Sequence, residues 1–326
     1  MLRRTRAGAT AAGVALALGA LSGCGGGPGT AGRAPGAGEE TATATGSAAP
    51  GSASASASAS SSPSTDHAFR ELEQRFHAHL GLFVLDTGSG RSVTYGADRR
   101  FAMCSTAKVL AAGALLRQDD DADLARTLTY SRSDLLDHAP ITSQHVDHGM
   151  PLRDVIAAAL QHSDNTAENL MLRELGGPAG LQRAVTALGD TTTHVNRTEP
   201  ALNEATPGDP RDTSTARALA ADLRTLLLGT ALPAAHRARL TDWMLRNTTG
   251  GPYVRAALPK GWKAADKTGS GGHGTRNDIA VAWPPAGAPI LVSVLTDRDD
   301  PAAASDDALI ATSVRTALTA LHRVTP

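Results

Sequence analysis

Ser105-Thr106-Ala107-Lys108 sets a hydroxyl and an amine three residues apart at the start of an Ala/Leu-rich run. If that run is helical, positions i and i+3 share a face, and the amine can reach the hydroxyl and activate it as a nucleophile. Lysine is scarce in this chain: of 31 basic residues only Lys108, Lys260, Lys263 and Lys267 are lysines. Arginine stays protonated, whereas a buried lysine can lose its proton, so the few lysines mark places where that difference could matter. Lys267 also stands beside hydroxyls, in Lys267-Thr268-Gly269-Ser270, and a third polar cluster, Ser163-Asp164-Asn165, separates two helical stretches. His145 and His148 lie three residues apart but have no helix-borne Glu-x-x-His or further Cys/His cluster beside them, so they are not read as metal ligands. No metal and no cofactor are expected.

These side chains need a frame. Asp66 reads as an N-cap before Phe69, Leu72, Phe76 and Leu80 at helical spacing; Leu82 to Asp86 and Ser92 to Tyr95 follow as strands around Gly88-Ser89-Gly90. Toward the far end, Lys263 to Lys267, Ile279 to Trp283 and Ile290 to Leu295 read as three more strands, then an Ala-rich helix from about Pro301 to Leu321. Helical stretches such as Ala107 to Leu116, Leu152 to His162 and Thr166 to Leu175 fill the middle. The expected fold is α/β (α+β): an antiparallel sheet flanked by helices and built from both chain ends, with an inserted all-helical domain. Residues 66–99 and 246–326 form the α/β part and 100–245 the helical part, with the site in the cleft between them.

The three clusters, in this order, resemble those of the class A serine β-lactamases, whose Ser-x-x-Lys, Ser-Asp-Asn and Lys-Thr-Gly elements are shared in large part with penicillin-binding proteins. The resemblance spans 66–326 and extends to Arg197-Thr198-Glu199-Pro200-Ala201-Leu202-Asn203, similar to the family's Glu-x-x-Leu-Asn segment. Asp212 falls where the family places the acidic partner of Arg197, closing an Ω-shaped loop. A carboxylate and an amide four residues apart can hold one water between them. The resemblance implies that Ser105 is acylated, with the backbone N–H groups of Ser105 and Ser270 as the oxyanion hole and Lys108 sharing base duty. Ser163, with Lys267, would pass a proton to the lactam nitrogen, Asn165 would bond the substrate's side-chain amide, and Glu199 with Asn203 would activate the deacylating water. Thr268, Gly269, Ser270 and Arg276 would hold the substrate carboxylate, for which a guanidinium fork is well shaped. Two positions depart from the pattern. His138 stands where the family usually has an aromatic gate, and Gly271 stands where the carbapenem-hydrolysing branch pairs a second cysteine with the one at Cys104, which argues against that branch.

With 326 residues, 41% hydrophobic and 19% charged, the chain can bury a core; a net charge of −1 and 3% aromatics give a nucleic-acid partner no footing. Arg3, Arg4 and Arg6, the apolar run Ala15 to Leu18 and Leu21-Ser22-Gly23-Cys24 have the zones of a secretory signal, residues 1–23. Leu21 to Cys24 resembles a bacterial lipobox, implying a diacylated Cys24, an extracytoplasmic location and a membrane contact through that lipid alone. General secretion and twin-arginine export both stay open. Residues 24–65, rich in Gly, Ala, Ser, Thr and Pro, read as a tether. The expectation is a monomeric hydrolase of small β-lactams. Its rivals are a penicillin-binding D,D-peptidase and a β-lactam-sensing lipoprotein without turnover, neither of which requires Glu199 and Asn203.

Overall fold

A computed structural model of the protein describes residues 62–325. Its elements run α1 (Pro63–Phe76), β1 (His79–Asp86), β2 (Ser92–Tyr95), β3 (Arg100–Ala102), α2 (Ala107–Gln118), α3 (Asp121–Ala125), β4 (Thr127–Leu128), β5 (Met150–Pro151), α4 (Leu152–His162), α5 (Asn165–Leu175), α6 (Pro178–Ala187), β6 (Thr213–Thr215), α7 (Ala216–Leu227), α8 (Ala234–Leu245), α9 (Val254–Ala257), β7 (Lys263–Ser270), β8 (Arg276–Trp283), β9 (Ile290–Asp297) and α10 (Asp307–Ala320). The main sheet is antiparallel in the order β2-β1-β9-β8-β7, so strands from both chain ends pair at β1 and β9.

Strand periodicity explains why this sheet is covered on both faces. Along β9, Leu291 and Leu295 join the core beneath the helical part, while Ile290, Val292 and Val294 point to the opposite side, against α1 and α10. The same alternation separates Phe83 and Leu85 from Leu82 and Val84 on β1. Helix α2 has no polar face: every residue from Ala107 to Leu116 is buried, as expected for a helix that runs through the centre of a core. Lys108 is carried on that helix and is dry for that reason.

Five expectations need adjustment. Leu80, placed on the first helix by its spacing, lies in β1 beyond the end of α1. The first helix begins at Pro63, capped by the Ser62 side chain, so three residues assigned to the tether are helical; proline suits the first helical position because its missing N–H would be unpaired there. The last helix starts six residues later than Pro301, because Asp306 caps it by accepting from Ala308 N. Strands β7 and β8 run on to Ser270 and back to Arg276, since their pairing continues to the Ser270–Arg276 register. The middle part is not purely helical: β3 pairs with β6 and β4 with β5 as short antiparallel ribbons.

Candidate active site

The nucleophile candidate sits on a 3-10 turn, Cys104–Thr106, that leads into α2. Cys104 has φ 48°, a left-handed conformation that costs a residue with a Cβ and is the kind of strain held at functional sites by surrounding contacts. Those contacts are present: Asn277 of β8 donates from Nδ2 to the carbonyls of Ala102 (2.8 Å) and Met103 (3.1 Å), and Thr106 Oγ1 donates to Met103 O (2.8 Å). Gly269 is required by close approach, because a Cβ there would lie 2.8 Å from Met103 O. Its absence lets β7, the edge strand of the sheet, lie against the turn, with Gly269 packed on Met103 and Thr106.

Lys108 is fully buried and donates to Ser105 Oγ (2.6 Å), Asn165 Oδ1 (2.9 Å) and Glu199 Oε1 (2.9 Å). Burial disfavours its charge, but the carboxyls of Glu168 and Glu199 outweigh that, and the amine is held above its usual range as an ammonium. Lys267, equally buried, is pushed down to about 7 by desolvation and by Lys108, so it can exchange a proton near neutrality. Its Nζ donates to Ser163 Oγ (3.0 Å) and to Thr268 O (2.8 Å).

The tripeptide Ser163-Asp164-Asn165 divides its work. Ser163, with φ 56°, ends α4 and faces Lys267; Asn165 opens α5 and faces Lys108. Asp164 is fully buried and structural: it caps α5 through Ala167 N and accepts from Ile141 N, Thr142 N and Thr142 Oγ1. The exposed His138 lies alongside, its carbonyl accepting from Asn165 N (2.8 Å).

The Ω segment brings a carboxylate to the same place. Arg197 Nε pairs with Asp212 Oδ2 at 2.5 Å, and Asp212 Oδ1 also takes the N–H groups of Asn196 and Arg197, closing the base of the loop. Asn169 of α5 bonds both backbone groups of Glu199, each at 2.9 Å, and Asn203 Nδ2 donates to Glu199 Oε2. Glu199 is thus buried between Lys108 and Asn203. Across the cleft Gly272 N donates to Asn203 O (2.8 Å), tying the loop to the β7–β8 turn.

Arg276, opposite Ser270 in the β7–β8 register, is steadied by Asp307 Oδ1 (3.2 Å) and Thr275 O (3.1 Å). Thr268 shares a 2.6 Å hydrogen bond with Thr249. Cys104 is buried with a free thiol pushed up to about 12 by burial, and a Cβ on Gly271 would come within 2.6 Å of its Sγ. The twelve catalytic and substrate-binding residues named from the sequence are joined by hydrogen bonds, strand register or chain adjacency around Lys108 and Lys267, while Cys24 lies outside the described residues. His145 and His148 sit in an exposed turn, and no group of three or more metal-ligating side chains occurs among the described residues.

Four residues of this site are not picked out by sequence reasoning: Glu168, Asn169, Thr249 and Asp307. Only Glu168 carries a signal. It is the one acidic residue among the buried positions of α5, otherwise Thr166, Ala167, Leu170, Met171, Leu172 and Leu175.

A serine hydrogen-bonded to a buried lysine, with a second lysine–serine pair and a positioned carboxylate nearby, is an arrangement suited to hydrolytic chemistry. The chain belongs to the beta-lactamase enzyme family, whose profile matches residues 64–321. It is 52% identical over 259 residues to a β-lactamase of Amycolatopsis lactamdurans, covering 79% of this chain and 86% of the relative, and 49% identical over 256 residues to β-lactamase 3 of Bacillus cereus, covering 78% and 81%. Among solved structures it resembles the class A β-lactamase from Clostridium kluyveri, with TM-score 0.78, 44% identity and coverage of 79% of this chain and 99% of that one. Its class within the family is A, and its activity is that of a hydrolase acting on β-lactams.

Proposed function

We propose that the protein opens the β-lactam amide through an ester on Ser105 and releases it with a water activated by Glu199, protecting its bearer against β-lactam antibiotics. One observation carries this reading: the buried chain from Ser105 Oγ to Lys108 Nζ to Glu199 Oε1, at 2.6 and 2.9 Å. Lys108 passes a proton to Glu199 and, as the free amine, takes the proton of Ser105 while Oγ bonds to the lactam carbonyl carbon. The developing oxyanion is held by the N–H groups of Ser105 and Ser270. As the C–N bond breaks, the nitrogen takes a proton from Ser163, which Lys267 replaces. Before the second step Glu199 gives the proton it took from Lys108 to solvent and Lys267 regains one. Glu199, again a carboxylate, then removes a proton from a water held with Asn203, the water oxygen attacks the ester carbon, Ser105 leaves with a proton from Lys108, and Glu199 returns the water's proton to Lys108. The full-length protein is expected to hydrolyse a chromogenic cephalosporin catalytically and Ser105→Ala to leave it intact; a single stoichiometric equivalent of product would instead favour a penicillin-binding or sensor role.

Thr268, Gly269, Ser270 and Arg276 form the carboxylate end of the pocket, Asn165 meets the substrate's side-chain amide, and His138 stands at the gate. A charge-assisted hydrogen bond contributes about 1.5–3 kcal/mol, so Arg276→Ala is expected to lower kcat/KM for penicillins roughly 10- to 150-fold. Unchanged steady-state kinetics would assign the carboxylate to another cation. A site complete within one chain supports an enzyme that works as a monomer.

The lipobox-like Leu21 to Cys24 supports an extracytoplasmic enzyme tethered by a diacylated Cys24, two acyl chains being what stable anchoring takes. Mass spectrometry of the membrane fraction is expected to find acyl mass on an N-terminal Cys24. A mature N-terminus elsewhere, without lipid, contradicts the anchor.

A further inference from the structure

Lys108 has four oxygens within hydrogen-bonding distance and three N–H groups. Three of those donors go to Ser105, Asn165 and Glu199; the fourth oxygen, Glu168 Oε2, lies 2.9 Å away, yet neither oxygen of Glu168 receives a well-directed hydrogen bond. The Glu168 side chain is 1% exposed. An ionised carboxylate in that position, without donors and next to a second carboxylate, is costly, whereas a neutral carboxylic acid has a proton of its own to give. Glu199 Oε1 lies 2.9 Å from the same Lys108 Nζ that Glu168 Oε2 approaches at 2.9 Å, which sets the two carboxyls side by side and makes Glu199 the acceptor nearest to hand.

We propose that Glu168 is a positioning residue for the hydrolytic step: it carries a proton in the resting site, donates it as a hydrogen bond to the carboxylate of Glu199, and by keeping or releasing it sets how readily Glu199 takes a proton from water. The inference rests on the acyl-enzyme reading given above and adds a residue that its motifs leave out. Burial pushes Glu168 up to about 8, with Glu199 adding to the rise and Lys108 opposing it, so the proton is lost to solvent in mildly alkaline solution. Once it is gone, Glu199 loses a donor and gains a like-charged neighbour, and both changes make it a stronger base.

Other groups face Glu168 from the packed elements. Lys108 comes from α2, Lys267 from β7 and the Cys104 thiol from the 3-10 turn; Arg197 and Asp212, paired with each other, line the small cavity on its far side. Of these, Lys267 titrates in a similar range, and it is unchanged in the variants below.

The test is the pH dependence of deacylation, followed from preformed acyl-enzyme of the full-length protein between pH 6 and 9.5. In the wild type the rate constant is expected to climb about three- to tenfold from pH 7 to pH 9 as Glu168 ionises, the Brønsted response of a base strengthened by one to two decades. Glu168→Gln keeps a donor that cannot be lost, and Glu168→Met offers a similar volume with neither donor nor charge, so both should give a flat profile over that interval; if one fails to fold, the other decides. Glu168→Asp regains an ionisable carboxyl and restores a climb. A wild-type profile that is flat, or a climb that survives in Gln or Met, overturns the proposal, as does a uniform loss at every pH without change of shape, which would be a structural effect. These outcomes leave the Ser105 ester standing. Failure to form any acyl-enzyme on Ser105 defeats the underlying mechanism and this inference together.

Discussion

Glu199→Ala is expected to take up a penicillin and then stall, with turnover reduced about 10²- to 10⁴-fold, the usual contribution of a positioned general base. The reason is that the two steps draw on Glu199 unequally. Acylation keeps Ser105 and the Lys108 amine that contacts it at 2.6 Å and is slowed only because Lys108 must shed its proton without Glu199, whereas deacylation has only the carboxylate between Lys108 and Asn203 to activate water. A stopped-flow trace should therefore show a burst close to one equivalent of opened lactam, followed by a slow phase. A trace without a burst, at the wild-type rate, would remove Glu199 from the second step. Asn169, which bonds both backbone groups of Glu199, supports this placement.

Lys108→Ala should fail one step earlier and should also weaken the fold. Loss of the base slows single-turnover acylation by about 10²- to 10⁴-fold. The same substitution removes the cation from a fully buried cluster whose ionised partner, Glu199, approaches it at 2.9 Å, and breaking such a pair typically costs about 3–5 kcal/mol. Carboxyls left without their cation favour the protonated form, so the folded variant binds protons more tightly than the unfolded chain and its stability falls as pH rises. The melting-temperature deficit relative to wild type should thus be larger at pH 8 than at pH 5. An equal deficit at both values would mean that the cluster relaxes and exposes its carboxyls; unaltered acylation would deny Lys108 its role as base.

Most of the site is legible in local sequence patterns. Ser105 and Lys108 are linked by helical spacing, Ser163 to Asn165 and Lys267 to Ser270 are contiguous, and Glu199 and Asn203 belong to one short loop. The alternation of β9 and the nearly uninterrupted apolar character of α2 mark the sheet and the buried helix in the same way. What stays hidden depends on contacts between distant segments. Glu168 matters only because α5 packs its buried face against α2, Asp307 only because the start of α10 meets Arg276, and Thr249 only because the chain after α8 returns to β7. Element ends escape composition for a related reason: Ser62 and Asp306 set helix starts by capping, and pairing between β7 and β8 lengthens strands that their residue types alone would end sooner.

If turnover passes through an ester on Ser105, the ester itself can be caught. Acid-quenched samples of wild-type enzyme mixed with a penicillin, analysed by intact-protein mass spectrometry and peptide mapping, test it most directly. A transient adduct equal to the full mass of the substrate is expected, since ring opening expels no leaving group, mapped to Ser105, gone when substrate is exhausted and never formed by Ser105→Ala. Turnover by Ser105→Ala, an adduct on any other residue, or a wild-type protein that stays acylated for hours would contradict it.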